Sequence, residues 1–174
     1  MFEELNTLRP FFEEPSKERN VREVARLLHI APATASTKLK RLSKQGVLKE
    51  IQQRIYTFYK ANLDNELYRD LKVWYLTRKI KDSRLIEELN KTYFKPPIIL
   101  FGSAAYGLDT ETSDIDVCII SEKSEKFSHL DIYEKKLNRR IQIVLFPSIK
   151  KISNKHLLNN IVNGHIIQGE IQWI

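Results

Sequence analysis

IILFGSAAYGLDTETSDIDVCII, residues 98–120, decides the fold of the C-terminal half of the chain. Its apolar start predicts a short buried strand over residues 98–101, and the small residues that follow predict a turn. A second strand is predicted over residues 113–120. Neighbouring residues of a strand point to opposite faces, so most of its apolar residues share one face and its acidic residues the other. The apolar set is Ile115, Val117 and Ile119, and the other set is Asp114, Asp116 and Cys118.

Asp114 and Asp116, which we call the aspartate pair, indicate a site for a metal ion and a nucleotide. Two carboxylates this close repel each other unless a positive charge lies between them. Mg²⁺ or Mn²⁺ binds carboxylate oxygens together with substrate phosphates. Gly102 lets the backbone approach a ligand, and the Ser103 hydroxyl with the amides after it can bind the outer phosphates. The expected substrate is therefore a nucleoside triphosphate.

The spacing of these residues is more specific than the aspartate pair alone. Gly102-Ser103 is followed by ten residues and then D-x-D, with an apolar strand on each side. GSAAYGLDTETSDID resembles the signature of the DNA polymerase beta-type nucleotidyltransferase superfamily, most closely its minimal nucleotidyltransferases. The resemblance covers residues 94–174. It implies a small mixed sheet flanked by helices, with Gly102 and Ser103 on the phosphates and the aspartate pair on the metal.

The activity that the resemblance implies is Mg²⁺-dependent transfer of a nucleoside monophosphate, with AMP from ATP as the expected case. The acceptor would be a hydroxyl group of a protein, a nucleic acid or a small molecule. One position departs from the pattern, because members usually place a third carboxylate on a later strand. Here the strand predicted over residues 140–146 presents Gln142 instead.

Gln142 leaves open whether the site catalyses transfer, because an amide cannot accept the proton of the acceptor hydroxyl. Transfer of this proton to a general base is typically worth 10² to 10⁴ in rate. Asp131 and Glu134, on a helix predicted over residues 129–138, are the nearest substitutes. A nucleotidyltransferase is the first hypothesis. The second is a DNA-binding transcriptional regulator that binds nucleotide with weak or no turnover. The resemblance adds a third, an antitoxin that modifies or caps a partner toxin.

The positive charge of the chain is concentrated near its N-terminus. The 174 residues carry a net charge of +7, and residues 1–60 hold 12 basic against 7 acidic side chains. Residues 61–174 are nearly neutral. This distribution predicts a polyanionic partner for the N-terminal part, because clustered cations attract phosphate backbones.

The pattern of residues 19–50 predicts two short helices followed by a hairpin. Asn20 can cap the first helix, Pro32 can open the second, and Gly46 can end it. The hairpin is predicted over residues 47–59, with its turn at Gln52-Gln53-Arg54. RNVREVARLLHIAPATASTKLKRLSKQGVLKE resembles the winged helix-turn-helix superfamily. Residues 1–14 are expected to form a further helix that packs under this motif.

One face of the second helix carries hydroxyls near its start and cations further on, which favours insertion into the major groove of double-stranded DNA. The candidate DNA-binding residues are Thr34, Thr37, Lys38, Lys40, Arg41, Lys44 and, in the hairpin turn, Arg54. Winged helices also serve as dimerisation or protein-docking modules. A homodimer and a docked protein partner therefore stay open beside DNA.

The predicted organisation is α+β with three parts. Residues 1–60 form the winged helix-turn-helix, residues 61–93 a helical bridge, and residues 94–174 the nucleotidyltransferase-like domain. The chain contains no apolar stretch of 18 residues, so we expect a soluble, cytoplasmic protein with no membrane partner. The single cysteine, Cys118, excludes an internal disulfide and is expected to be a buried, unreactive thiol.

Overall fold

The computed structural model of the chain describes residues 2–172. It divides into a first unit that ends at Tyr75 and a second unit that begins at Leu76. None of the helices in the described part is long and apolar enough to cross a membrane.

The first unit contains helices and a small antiparallel sheet. In chain order its elements are α1 (Phe2–Glu13), β1 (Arg19–Asn20), α2 (Val21–Leu28), α3 (Pro32–Lys44), β2 (Leu48–Gln53) and β3 (Tyr56–Ala61). The strand order is β1-β3-β2, with both pairings antiparallel. The apolar faces of the helices and of the hairpin β2–β3 enclose one core, which includes Phe11, Leu39 and Tyr59.

The ends of α2 and α3 follow the predicted signals. The Asn20 side chain accepts a hydrogen bond of 3.0 Å from the Glu23 amide, so the predicted N-cap of α2 is confirmed. His29 takes a left-handed conformation that ends α2. Pro32 is the first residue of α3. Gly46, at φ 72°, then turns the chain towards β2.

Two more helices follow, α4 (Glu66–Asp82) and α5 (Leu85–Tyr93), in the segment predicted as a bridge. The boundary between the two units falls inside α4. Tyr68 belongs to the core of the first unit, and its hydroxyl donates to the Phe11 carbonyl at 2.7 Å. Ile80 belongs to a core of the second unit. The residues of this segment therefore contribute to two cores.

The second unit is built on a four-stranded mixed sheet. Its strands are β4 (Ile98–Phe101), β5 (Ile115–Ile120), β6 (Ile141–Phe146) and β7 (His165–Gln168), and its remaining helices are α6 (Leu130–Leu137) and α7 (Lys155–Val162). Two short 3₁₀ segments, Gly102–Tyr106 and Ile149–Lys151, follow β4 and β6. The strand order is β6-β5-β4-β7. The β5–β6 pairing is parallel, and β4 is antiparallel to both neighbours.

Each face of this sheet carries its own core. Ile115, Val117 and Ile119 pack in the core that includes residues of α5 and α6, whereas Cys118 packs in a second core with Ile161 of α7. The predicted alternation of this strand is confirmed. A mixed sheet with helices against both faces agrees with a nucleotidyltransferase-like α+β fold.

The start of β5 differs from the prediction. The strand begins at Ile115, two residues later than expected, because the preceding residues close a turn. The Thr110 amide donates to the Ser113 hydroxyl at 2.9 Å, and the Ser113 amide donates to the Thr110 carbonyl at 3.2 Å. Asp114 therefore lies between a turn and the sheet, and only Asp116 of the aspartate pair is part of the strand.

Candidate active site

Gly102 and Asp116 are brought together by the antiparallel pairing of β4 and β5. Phe101, the last residue of β4, lies opposite Asp116 in the register, and Gly102 follows it. The Gly102 backbone has φ +69°, a conformation that side chains rarely adopt. A Cβ atom at this position would overlap the Asp116 carboxylate. Only glycine allows this turn to approach the carboxylate so closely.

Ser103 is the second residue of the short 3₁₀ segment that begins at Gly102. Its carbonyl accepts a hydrogen bond of 3.0 Å from the Leu108 amide, which folds the segment back on itself. Gly107, at φ 66°, allows the reversal. The Ser103 side chain is exposed. The turn therefore presents this hydroxyl to solvent, next to the glycine that touches Asp116.

The aspartate pair is electrostatically coupled. Partial burial raises the pKa of Asp116, the nearby Asp114 charge raises this pKa further, and the charge of Arg139 opposes both effects. The ionised Asp116 carboxylate is thus held in an unfavourable environment. A cation bound between these carboxylates would relieve the repulsion, so the residues present fit the divalent metal that this fold implies.

Gln142 lies beside Asp116 on the neighbouring strand. In the parallel pairing of β5 and β6, the two residues are register partners on the same face of the sheet. The Gln142 side chain is exposed. The structure thus puts an amide where the sequence pattern expects a third carboxylate. Among residues 2–172, no group of three or more His, Cys, Asp or Glu side chains is placed to hold a metal ion.

Asp131 and Glu134 do not replace the third carboxylate, which corrects the suggestion made from sequence. Their helix α6 packs Tyr133 and Leu137 into the core on the face of the sheet opposite to Asp116 and Cys118. The Glu134 carboxylate also accepts a hydrogen bond of 2.9 Å from the Ile141 amide, so it anchors the start of β6.

Sequence reasoning missed Asp109 and its pairing with Arg139. Asp109 is 1% exposed although it lies in a polar loop, and it forms an ion pair with Arg139. The guanidinium of Arg139 also donates to the carbonyls of Ser113 and Asp114. No local signal could have found this pair, because its two residues lie 30 positions apart in the chain.

Cys118 is confirmed as a buried thiol. It is fully buried in the core that contains Ile99 and Ile161. Burial raises its pKa to about 12, so almost no thiolate forms at neutral pH.

The candidate DNA-binding residues are spread along the surface of α3 and the hairpin turn. Exposed side chains are those of Thr34, Thr37, Lys40, Arg41, Lys44 and Arg54, whereas Lys38 is half-buried. Arg41 forms an ion pair of 2.7 Å with Glu4 of α1. The Thr37 hydroxyl donates to the Ala33 carbonyl at 3.1 Å. Within the described residues, Lys40 and Lys44 make no ion pair, which leaves them as the most available cations of this face.

Comparison with known protein families gives a match within the second unit. Residues 82–167 match the model of the family described as nucleotidyltransferase domain. The matched span contains Gly102, Ser103, the aspartate pair and Gln142. This match supports a general function in nucleotidyl transfer, with a nucleoside triphosphate as the substrate. No curated protein was found to match the chain.

Proposed function

We propose that the second unit is a Mg²⁺- or Mn²⁺-dependent nucleotidyltransferase that moves AMP from ATP to a hydroxyl acceptor. One observation carries this proposal. The Gly102-Ser103 turn lies so close to Asp116 that no side chain fits between them. Phosphates bound by the turn would therefore lie next to the carboxylates that bind the metal.

Each residue has a separate role in this proposal. The backbone at Gly102 and the Ser103 hydroxyl bind the outer phosphates, and the aspartate pair holds the metal. When bound, the divalent ion neutralises negative charge on the phosphates. The acceptor oxygen bonds to the α-phosphorus, the bond to the oxygen bridging the α- and β-phosphorus atoms breaks, and pyrophosphate leaves with that electron pair. Gln142 cannot take the acceptor proton, so this proton passes to solvent and turnover is slow.

The first test replaces Asp116 by asparagine. Incubation with α-labelled ATP, Mg²⁺ and candidate acceptors should give labelled product with the wild type. Asp116→Asn should lower the transfer rate on the order of 10³-fold, because it removes a charge that holds the metal. A control variant, Glu122→Gln, removes an exposed carboxylate just after the other end of β5 and should retain the rate.

The stability of Asp116→Asn separates lost chemistry from lost folding. Folding raises the pKa of this carboxyl, so its ionised form opposes folding once the pH exceeds its unfolded pKa. The variant should therefore unfold at neutral pH no more easily than the wild type when metal is absent, as measured by urea titration. A stable Asp116→Asn protein with undiminished transfer would contradict the proposal.

The exposed cations of α3 favour a second candidate function, a transcriptional regulator whose first unit is a winged helix that binds double-stranded DNA. Gln142 fits this candidate, because a site without a base can bind nucleotide and turn it over poorly. Lys40→Ala combined with Lys44→Ala should weaken duplex binding by the full chain. It should also reduce the slope of log K against log salt by about 0.9 for each lost phosphate contact.

A matched control removes the same charge from the second unit, through Lys126→Ala combined with Lys135→Ala. Both of these lysines are exposed. Equal weakening by the two double variants would mean that net charge alone governs binding. Unchanged binding in the Lys40 and Lys44 variant would reject α3 as the DNA-binding surface.

A further inference from the structure

The Arg139 guanidinium makes three hydrogen bonds to the segment before β5. Its Nε donates to the Ser113 carbonyl at 2.9 Å, and its Nη2 donates to the Asp114 carbonyl at 3.0 Å. Its Nη1 donates to the Asp109 carboxylate. One guanidinium group therefore joins three points of the loop that leads into the aspartate pair.

The surroundings of Arg139 hold this arrangement in place. Its side chain is 13% exposed and that of Asp109 is 1% exposed, so water competes little for the pair. A guanidinium presents several N–H donors in a fixed plane and loses little freedom for each hydrogen bond formed. We call this set of contacts the Arg139 clamp.

The backbone that carries Arg139 is itself fixed. The Arg139 amide donates to the Glu134 carbonyl at 3.1 Å, which ends α6. The Glu134 carboxylate accepts from the Ile141 amide, and the Arg140 carbonyl accepts from the Ile115 amide at 2.9 Å. The clamp therefore reaches the loop from a turn that is bonded to the start of both β5 and β6.

We propose that Arg139 is a positioning residue that holds Asp114 for metal binding, with Asp109 as the group that orients its guanidinium. The inference rests on the proposed function of the aspartate pair. Asp114 precedes β5, so the hydrogen-bond ladder of the sheet does not fix it. Repulsion from Asp116 would push it away when no metal is bound. The clamp opposes this movement through the carbonyls of Ser113 and Asp114, and it leaves both carboxylates of the aspartate pair to the ion.

The test measures metal binding without turnover. The full chain is titrated with Mn²⁺ in the presence of α,β-methylene-ATP, which cannot be cleaved at the bond that the transfer breaks, and free Mn²⁺ is followed by electron paramagnetic resonance. Arg139→Lys keeps the charge but cannot span all three partners. Asp109→Asn keeps the size of the side chain and removes its charge. Both variants, and Arg139→Ala, should bind Mn²⁺ roughly 10- to 100-fold more weakly, as expected for groups that orient a metal ligand.

Arg140→Ala is the matched control. Arg140 is adjacent in sequence and its side chain is exposed, and the contact with the start of β5 is made by its backbone carbonyl. This variant loses the same charge as Arg139→Ala but should bind Mn²⁺ as the wild type does. Hydrogen exchange of residues 109–115 should be faster in Arg139→Lys than in Arg140→Ala. Circular dichroism at low temperature identifies the variants that are folded, and should Arg139→Ala unfold, the two conservative variants decide the question.

The outcomes separate this inference from the proposed function. Folded Arg139→Lys and Asp109→Asn proteins that bind Mn²⁺ as tightly as Arg140→Ala would overturn the role of the clamp. If Asp114→Asn also binds Mn²⁺ as the wild type does, the proposed metal site itself fails. If Asp114→Asn loses binding while the clamp variants keep it, only the inference about Arg139 fails.

Discussion

The two units of the chain arrange their charges in opposite ways. In the first unit, the cations of α3 are spaced along the surface, and Arg41 is exposed although its ion-pair partner Glu4 is half-buried. In the second unit, the aspartate pair and Asp109 are crowded around one loop, with Arg139 between them. Water and salt screen the first arrangement, whereas partial burial strengthens the interactions of the second.

This difference predicts how each unit responds to change. Exposed charges act nearly independently, so each replacement in the first unit should have a small and additive effect. Coupled groups in the second unit depend on shared geometry, so a displacement of about 1 Å can cost 10²-fold in rate. The expected effects therefore fall from the coupled groups of the second unit to the Arg41–Glu4 ion pair of the first.

The largest effect should come from Gly102→Ala. Its Cβ would overlap the Asp116 carboxylate, so transfer should fall by more than about 10²-fold and nucleotide binding should be lost. Gly46→Ala in the first unit provides the comparison, because Gly46 has φ +72° and a Cβ added there would lie 3.3 Å from an Asn65 side-chain atom. Each variant should lose about 1–2 kcal/mol of stability through left-handed strain, measured by urea unfolding. Retained transfer in Gly102→Ala would remove the geometric basis of the proposed site.

Gln142→Glu should have the next largest effect, and in the opposite direction. It adds a carboxylate beside Asp116 in the sheet register, so labelled transfer should rise by up to about 10²-fold. The added charge should also destabilise the metal-free protein, and Mg²⁺ should restore its melting temperature. Gln142→Met, which removes the amide without adding charge, should leave the rate close to that of the wild type. No increase for Gln142→Glu would mean that proton transfer does not limit the reaction.

The smallest effect should come from Glu4→Gln in the first unit. Because Arg41 is exposed and Glu4 is half-buried, loss of the pair should change the free energy of unfolding by less than about 1 kcal/mol. Release of Arg41 should raise duplex affinity by a factor of about two to three, measured by fluorescence anisotropy at low salt. Glu66→Gln, an exposed carboxylate in the first turn of α4, is the control for the change in net charge. If Glu4→Gln lowered the free energy of unfolding by more than Gly102→Ala does, the contrast between the units would be contradicted.

Much of the fold could be predicted because the residues that indicate a helix start or a buried strand face lie close together in the chain. The Asn20 cap, Pro32 at the start of α3 and the alternation of β5 each depend on neighbouring residues. The start of β5 was predicted two residues too early, because the Thr110–Ser113 turn competes with the strand for the same backbone groups. Sequence patterns do not show which of two local structures wins such a competition.

Residue type and spacing along the chain were enough to predict the chemistry of the candidate site, since Gly102-Ser103 and the aspartate pair lie within one short segment. They were also enough to show that Gln142 departs from the pattern, because that departure is a matter of residue type. The contacts of Arg139 with Asp109 and the Asp114 carbonyl, of Glu134 with the start of β6, and of Arg41 with Glu4 came from the folded structure. Three of these four contacts join residues 25 or more positions apart, and a contact at such separation depends on how helices and strands pack rather than on local residue patterns.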